Sequence, residues 1–115
     1  MSVLIYHNPR CSKSRQTLEL LREQGIEPEV IDYLKDAPSA KRVKELIELL
    51  GIEPHALLRT KEAAYTELGL SKRSSLDEIA KAIAAHPILL ERPIVVKGKR
   101  AAIGRPPENV LAILK

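Results

Sequence analysis

The first 33 residues carry the pattern that most restricts the fold: an apolar run, a helical segment and a second apolar run. The run from Val3 to Tyr6 predicts a short buried strand, Thr17 to Leu21 forms the body of a predicted helix, and Glu29 to Tyr33 predicts a second strand. Two strands joined by a helix over so few residues form a βαβ unit, with parallel strands and a right-handed crossover. Ligands of such units bind beyond the carboxyl ends of the strands. We therefore expect a ligand site just after Tyr6.

Residues 38–86 predict a mostly helical block between two sheet-forming parts. Pro38-Ser39 caps a first helix that ends at Gly51, and a short helix is expected after Pro54. The capping box of Ser75 to Glu78 starts a third helix. In the two longer helices the residues expected to face inward are Val43, Leu46, Ile47 and Leu50, and Leu76, Ile79, Ala80 and Ile83. The short helix is expected to include Leu57, Leu58 and Arg59.

Sheet character returns at Ile94-Val95-Val96 and resumes at Arg100 to Ile103, which together predict a hairpin. A terminal helix with Val110, Leu111 and Leu114 on one side is expected after Pro107. The predicted order βα β ααα ββα indicates an α/β fold with a mixed sheet flanked by helices. A chain of 115 residues with 44% hydrophobic residues suits a single domain over residues 1–115, with the helical block as an insertion.

The composition argues against several classes of function. The chain has no Trp, no Phe and three Tyr, and its net charge of +4 is scattered without a polybasic block. We therefore expect no nucleic-acid binding. No apolar run approaches the ~18 residues of a membrane span, and no signal sequence is recognised, so no membrane association is expected. One unpaired cysteine favours the reducing cytosol, and a cytoplasmic monomer is expected.

Cys11 is the only cysteine of the chain and is predicted at the start of the first helix. The first turn of a helix leaves backbone N–H groups unpaired and carries roughly half a positive charge, which favours a thiolate or a bound oxyanion. Arg15 lies four residues later, on the same helix face, and adds a permanent positive charge. We expect Cys11 to be an acidic nucleophile. His7 is expected either to bond the turn backbone or to tune the thiolate.

Acidity alone gives Cys11 little rate advantage. Lowering a thiol pKa from ~8.5 to ~6.5 raises the thiolate fraction at neutral pH about 25-fold. The same shift lowers the nucleophilicity of each thiolate by somewhat under tenfold. Because the net gain is only a few-fold, most of the acceleration must come from holding and neutralising the target. The chain should therefore supply further cationic groups near Cys11.

Two other cysteine motifs are excluded, each by the residue at one position. A Cys-x5-Arg phosphatase loop would need arginine at position 17, which is Thr17, and a Cys-x-x-Cys motif would need cysteine at position 14, which is Ser14. Three isolated histidines and one cysteine lack metal-ligand spacing, so no metal site is expected. Without a second thiol in the chain, Cys11 must be regenerated by an external thiol such as glutathione or a dithiol protein.

Seven short motifs follow one another along the chain: Tyr6-His7-Asn8-Pro9, Cys11, Ser14-Arg15, Ala56-Leu57-Leu58-Arg59, His86-Pro87-Ile88-Leu89, Glu91-Arg92-Pro93-Ile94-Val95-Val96 and Arg105-Pro106. Together they resemble the glutaredoxin-dependent arsenate reductase (ArsC) family. The resemblance implies a thioredoxin-like (glutaredoxin-like) fold with a helical insertion. It also implies the reduction of arsenate to arsenite, with glutathione as co-substrate, glutaredoxin as partner and no bound cofactor.

The same resemblance implies roles for individual residues. Cys11 corresponds to the nucleophile that forms the arsenic adduct. The oxyanion-binding arginines correspond to Arg59, Arg92 and Arg105. The groups that surround and acidify the thiolate correspond to His7, Ser14 and Arg15. Pro93 corresponds to the thioredoxin-fold proline that is usually cis and faces the active cysteine.

Two other functions fit parts of the pattern. The chain is similar to the Spx regulators, relatives of this fold that bind RNA polymerase, but these typically carry a Cys-x-x-Cys switch where this chain has Ser14. A third possibility keeps the thiol chemistry and changes the substrate to a glutathione mixed disulfide.

Overall fold

The computed structural model describes residues 2–114. Its strands and α-helices are β1 (Val3–His7), α1 (Ser12–Glu23), β2 (Glu29–Asp32), α2 (Ala40–Leu50), α3 (Ala63–Glu67), α4 (Leu76–Ala85), β3 (Ile94–Lys97) and β4 (Arg100–Ile103). Three 3-10 helices cover Pro54–Leu57, Pro87–Leu89 and Pro107–Ile113. The described residues form two compact units, one of residues 2–36 with 92–114 and one of residues 37–91.

The first unit contains a four-stranded mixed sheet in the order β2-β1-β3-β4. β1 pairs parallel with β2, as the βαβ pattern predicts, and β3 pairs antiparallel with both β1 and β4. One row of the sheet runs through Val30, Ile5, Val95 and Ala102. The predicted mixed α/β fold is confirmed.

One face of the sheet is covered by α1 and the terminal 3-10 helix. The core cluster here joins residues of β1, α1, β3 and the terminal helix: Val3, Ile5, Leu21, Val95, Val110 and Ile113. Burying aliphatic side chains of this size contributes about 1.5–3 kcal/mol each. The core therefore fixes α1, and with it Cys11 at the start of that helix, against β1 and β3.

The second unit is mostly helical, and its two longer helices begin at the predicted caps. The Ser39 hydroxyl accepts a hydrogen bond from the Arg42 backbone N–H at 3.1 Å, and α2 ends at Leu50, followed by the C-cap residue Gly51 with φ 65°. The capping box of Ser75 and Glu78 starts α4. α2 and α4 pack against each other. Their fully buried side chains include Val43, Leu46, Ile79 and Ile83.

The structure corrects several sequence predictions. Leu58 and Arg59 lie outside the short helix, because that helix ends at Leu57 and Leu58 forms an antiparallel bridge with Leu90. Leu76 is 41% exposed instead of facing inward, since it is the first helical residue after the Ser75 cap. The short helix α3 had no predicted counterpart. The terminal helix is a 3-10 helix, and its Leu111 is only half-buried.

Across residues 2–114, no helix combines the length and apolar character needed to cross a membrane.

Candidate active site

Cys11 is the N-cap residue of α1 and directly follows the turn that leaves β1. Its backbone is extended, with φ −95° and ψ 123°, and its N–H donates to the Asn8 carbonyl at 3.0 Å. The Arg15 N–H donates to the Cys11 carbonyl at 3.0 Å, which begins the helical bonding. Cys11 forms no disulfide, and the residue is 8% exposed. The chain thus holds the sulfur at the helix N-terminus, where unpaired N–H groups favour an anion.

The pKa of the Cys11 thiol lies below its ordinary value. Burial by itself raises this pKa, but hydrogen bonding from the Ser14 backbone, the Arg92 charge, hydrogen bonding from the Lys13 backbone and the Arg105 charge all lower it and together outweigh burial. A larger fraction of Cys11 is therefore present as the nucleophilic thiolate than in an ordinary cysteine at the same pH.

Strand pairing brings the residues around Cys11 together from opposite ends of the sequence. Tyr6 near the end of β1 pairs with Ile94 at the start of β3, and Ile94 pairs with Ile103 at the end of β4. Consequently the residues after β1, before β3 and after β4 meet at one edge of the sheet. Cys11 belongs to the first of these segments, Arg92 to the second and Arg105 to the third.

Arg105 contacts the cysteine directly. Its Nη2 donates to Cys11 Sγ at 3.5 Å, and its Nε donates to the Arg92 carbonyl at 2.7 Å. Arg92 is 9% exposed, and its charge acts on the same thiol. The Arg92–Pro93 and Arg105–Pro106 peptide bonds are both cis. Two guanidinium groups from segments that are distant in sequence thus act on one sulfur.

His7 and Ser14 form a buried pair beside residues 8–11, which we call the cysteine loop. His7 Nδ1 and Ser14 Oγ share a hydrogen bond of 2.6 Å, and the Asn8 N–H donates to the same oxygen at 3.0 Å. The Ser14 hydroxyl therefore ties the end of β1 to the first turn of α1. His7 was expected either to bond the turn backbone or to tune the thiolate. Its hydrogen bond goes to the Ser14 side chain, so it can influence the thiolate only indirectly, through Ser14, whose backbone N–H bonds Cys11.

The pKa of His7 is lowered, first because burial disfavours the imidazolium. The Asp32 carboxylate opposes this shift, while the positive charges of Arg22 and Arg15 add to it. His7 is consequently biased towards the neutral imidazole, which can hold Ser14 without adding a charge next to the thiol.

Arg15 lies on the exposed side of the cysteine loop. Its Nη1 donates to the Pro9 carbonyl at 2.9 Å, which braces the turn before Cys11. The guanidinium groups that lower the pKa of Cys11 are instead those of Arg92 and Arg105. Arg15 therefore contributes a loop contact that helical spacing alone did not predict.

Gly104 is a site residue that sequence reasoning missed. Its N–H donates to the Pro93 carbonyl at 2.9 Å, and a Cβ at this position would lie 2.9 Å from Pro93 Cγ and in overlap with the Thr17 hydroxyl. Because the backbone approaches α1 and Pro93 so closely, the next residue, Arg105, reaches Cys11. The only sequence signal is a glycine directly before an arginine-proline pair.

Arg59 belongs to the second unit, and its contacts lie within that unit. Its backbone N–H donates to the Leu89 carbonyl at 2.8 Å, and its Nη1 lies 3.3 Å from Glu62 Oε2. Within residues 2–114, no group of three or more His, Cys, Asp or Glu residues could hold a metal ion.

Comparison with known proteins gives a consistent result. The ArsC family model matches residues 6–113. Escherichia coli (strain K12) YfgD, an uncharacterised protein, is 50% identical over 97% of this chain and 96% of its own length. A Haemophilus influenzae arsenate reductase is 48% identical over 99% of this chain and 100% of its own length. The solved structure of arsenate reductase from Vibrio cholerae matches with a TM-score of 0.94 and 54% identity, covering 98% of each chain.

Proposed function

Because this chain belongs to the ArsC family, we propose that it is an arsenate reductase with Cys11 as nucleophile and with glutathione and glutaredoxin as the source of reducing thiols. One observation carries the proposal: the Cys11 sulfur lies at the N-terminus of α1, 3.5 Å from Arg105 Nη2, with a lowered pKa. The full-length likeness to arsenate reductases supports the choice of substrate.

Electrostatics explain why the arginines are needed. A thiolate and an arsenate dianion about 4 Å apart repel by about 2 kcal/mol in water, and by several times more in a partly buried site. Charge-assisted hydrogen bonds from guanidinium groups offset this repulsion and orient the oxyanion. Arg92 and Arg105 already act on the thiol, so an oxyanion that approaches Cys11 meets their charges first. Arg59 is proposed as the third oxyanion-binding arginine.

In the first chemical step the Cys11 thiolate attacks arsenic. A sulfur–arsenic bond forms, and one arsenate oxygen leaves as water after protonation. The arginines stabilise the negative charge on the remaining oxygens. Arsenic is still in the +5 state in this adduct, so reduction requires further thiols.

Two external thiols then supply the two electrons. Glutathione attacks the adduct at arsenic and forms a second sulfur–arsenic bond, while a second arsenate oxygen leaves as water. A glutaredoxin thiol then takes the glutathione sulfur as a mixed disulfide, and the electron pair of the broken sulfur–arsenic bond stays on arsenic. Two sulfurs are oxidised to one disulfide as arsenic passes from +5 to +3. Hydrolysis of the sulfur–arsenic bond releases arsenite and regenerates Cys11. These thiols are cytosolic, so we place the reaction in the cytoplasm. We also expect the protein to act as a monomer and to need no bound cofactor.

The remaining residues are proposed to prepare the thiolate. Ser14 offers its backbone N–H to the sulfur, and neutral His7 fixes the Ser14 side chain. Arg15 holds the turn before Cys11 through the Pro9 carbonyl. Pro93 borders the site through its contact with Gly104.

The test is arsenite production by the purified protein given arsenate, glutathione and glutaredoxin. We expect turnover by the wild type and a fall to the uncatalysed background in Cys11→Ser, because a hydroxyl at this position cannot ionise near neutral pH. Ser12→Ala, which changes the exposed neighbouring residue, is the matched control and should keep wild-type activity. Full activity of Cys11→Ser, or a wild type that reduces a glutathionylated peptide but not arsenate, would overturn the proposal.

A further inference from the structure

The backbone of Arg59 is held rigidly within the second unit. Leu58 and Leu90 form an antiparallel bridge, and two backbone bonds flank it: Arg59 N–H to the Leu89 carbonyl and Glu91 N–H to the Leu57 carbonyl, each 2.8 Å. A turn follows at once, since the Glu62 N–H donates to the Arg59 carbonyl at 3.2 Å. This turn fixes Glu62 next to Arg59.

The Glu62 side chain is directed to Arg59 and not to its own helix. Glu62 is the N-cap residue of α3, but its carboxylate makes no capping hydrogen bond. Instead Oε2 lies 3.3 Å from Arg59 Nη1, and the two side chains are only 23% and 25% exposed. Glutamate is not among the short side chains that commonly cap helix N-termini, so the Glu62 carboxylate is available to the Arg59 guanidinium.

We propose that Glu62 is a built-in counter-ion of Arg59 that competes with the oxyanion substrate and thereby sets the affinity for arsenate. This inference rests on the proposed function, in which Arg59 binds the oxyanion. Arsenate and the Glu62 carboxylate present the same kind of ligand, negatively charged oxygens, to one guanidinium group. A dianion that binds Arg59 must displace Glu62, and this displacement costs affinity.

The size of the effect follows from the exposure of the pair. An ion pair that is still partly solvated stabilises its two side chains only weakly. Breaking such a pair changes a binding constant by about two- to fivefold. Glu62 therefore lowers the affinity for arsenate modestly. Since the competition ends once arsenate is bound, it acts on KM and leaves the chemical step unchanged.

The direction of the change distinguishes competition from a purely structural role. If Glu62 only positioned Arg59, Glu62→Gln would weaken arsenate binding, because Arg59 would lose the contact that orders it. If Glu62 competes, the same isosteric change strengthens binding. Screening by salt should shrink the difference between wild type and Glu62→Gln.

The experiment measures the arsenate concentration that half-protects Cys11 from alkylation. We expect this concentration to fall about two- to fivefold in Glu62→Gln at low salt, while the alkylation rate without arsenate stays at its wild-type value. Glu67→Gln, which removes the same charge from an exposed position at the end of α3, should match the wild type. In an Arg59→Ala background, Glu62→Gln should cause no further decrease. In the turnover assay KM should fall and kcat should stay constant.

The possible failures are distinguishable. If arsenate does not protect Cys11 in the wild type, the proposed function is overturned and this inference falls with it. If arsenate protects the wild type but Glu62→Gln is protected equally or less well, only the role of Glu62 is overturned.

Discussion

At the residue scale, the pKa of the Cys11 thiol is set by groups that shift it in opposite directions. Burial favours the neutral thiol, whereas backbone hydrogen bonds from Ser14 and Lys13 and the charges of Arg92 and Arg105 favour the thiolate. The second set prevails. Because several groups together lower the pKa of Cys11, removing one of them should raise this pKa only part of the way to its ordinary value.

Neutral His7 gives the protein a pH-dependent stability. The pKa of His7 in the folded state is lowered, chiefly by burial, so the unfolded chain binds the proton more readily. Stability therefore rises with pH in this window and is lost as pH falls from the ordinary histidine range towards the lowered pKa. We predict that His7→Asn, whose amide can still bond Ser14, loses less unfolding free energy between pH 7 and pH 5 than the wild type does.

Urea unfolding at a series of pH values checks this prediction. His86→Asn is the control for the loss of a histidine as such, because His86 is exposed at the end of α4, away from the His7–Ser14 pair. An unchanged profile in His7→Asn would show that His7 does not contribute to the acid sensitivity.

Sequence reasoning reached Cys11 but not all of its partners. The apolar run, the polar turn and the helix pattern are local, and they correctly predict the cysteine at a helix start. The Arg105–Cys11 contact joins residues 94 positions apart, and no local pattern encodes it. Arg92 and Arg105 were singled out only through the family resemblance, and Gly104 by neither route.

At the element scale, local signals predicted most helix ends. Ser39, Gly51 and the Ser75 capping box act through neighbouring backbone groups, so their effects can be read from adjacent residues. Leu58 and Arg59 were wrongly assigned to a helix because their conformation depends on the bridge to Leu90, 32 residues away. α3 has only five residues and no buried side chain, so it lacks an apolar stripe that could be recognised.

The backbone of Gly104, between β4 and Arg105, lies close to Thr17 and Pro93, and this close contact leads to a testable prediction. A methyl group on Gly104 would crowd Thr17 and Pro93, and overpacking of this kind costs about 1–3 kcal/mol. We predict that Gly104→Ala lowers the unfolding free energy by about that amount. The displaced segment should also withdraw Arg105 and raise the pKa of Cys11, as measured by the pH dependence of alkylation.

Gly69→Ala separates crowding near the site from general destabilisation. Gly69 has φ 68° with no atom within 4 Å of an added Cβ, so alanine there strains the backbone without a clash. This control should lower stability but leave the reactivity of Cys11 unchanged. If Gly104→Ala keeps both wild-type stability and the wild-type Cys11 pKa, the packing role of Gly104 is wrong.

At the scale of the whole molecule, the strand order creates the environment of Cys11. The sequence predicted the parallel β1–β2 pair and the β3–β4 hairpin, since each joins strands that follow one another along the chain. It did not predict that β1 and β3 are neighbours, which depends on the complete sheet. That pairing places Arg92 and Arg105 beside Cys11, so the thiolate should be favoured only in the folded chain.

The most direct test is the pH dependence of Cys11 alkylation in the native and the urea-unfolded protein, since Cys11 is the only cysteine. We predict a midpoint below the ordinary thiol range in the native protein, where the pKa is lowered, and a midpoint within that range after unfolding. The folded state gains stability above the ordinary thiol pKa and loses it as pH falls through the lowered one. Arg105→Ala should move the native midpoint part of the way back. A native midpoint equal to or above that of the unfolded chain would contradict the assignment of Cys11 as an arginine-stabilised thiolate.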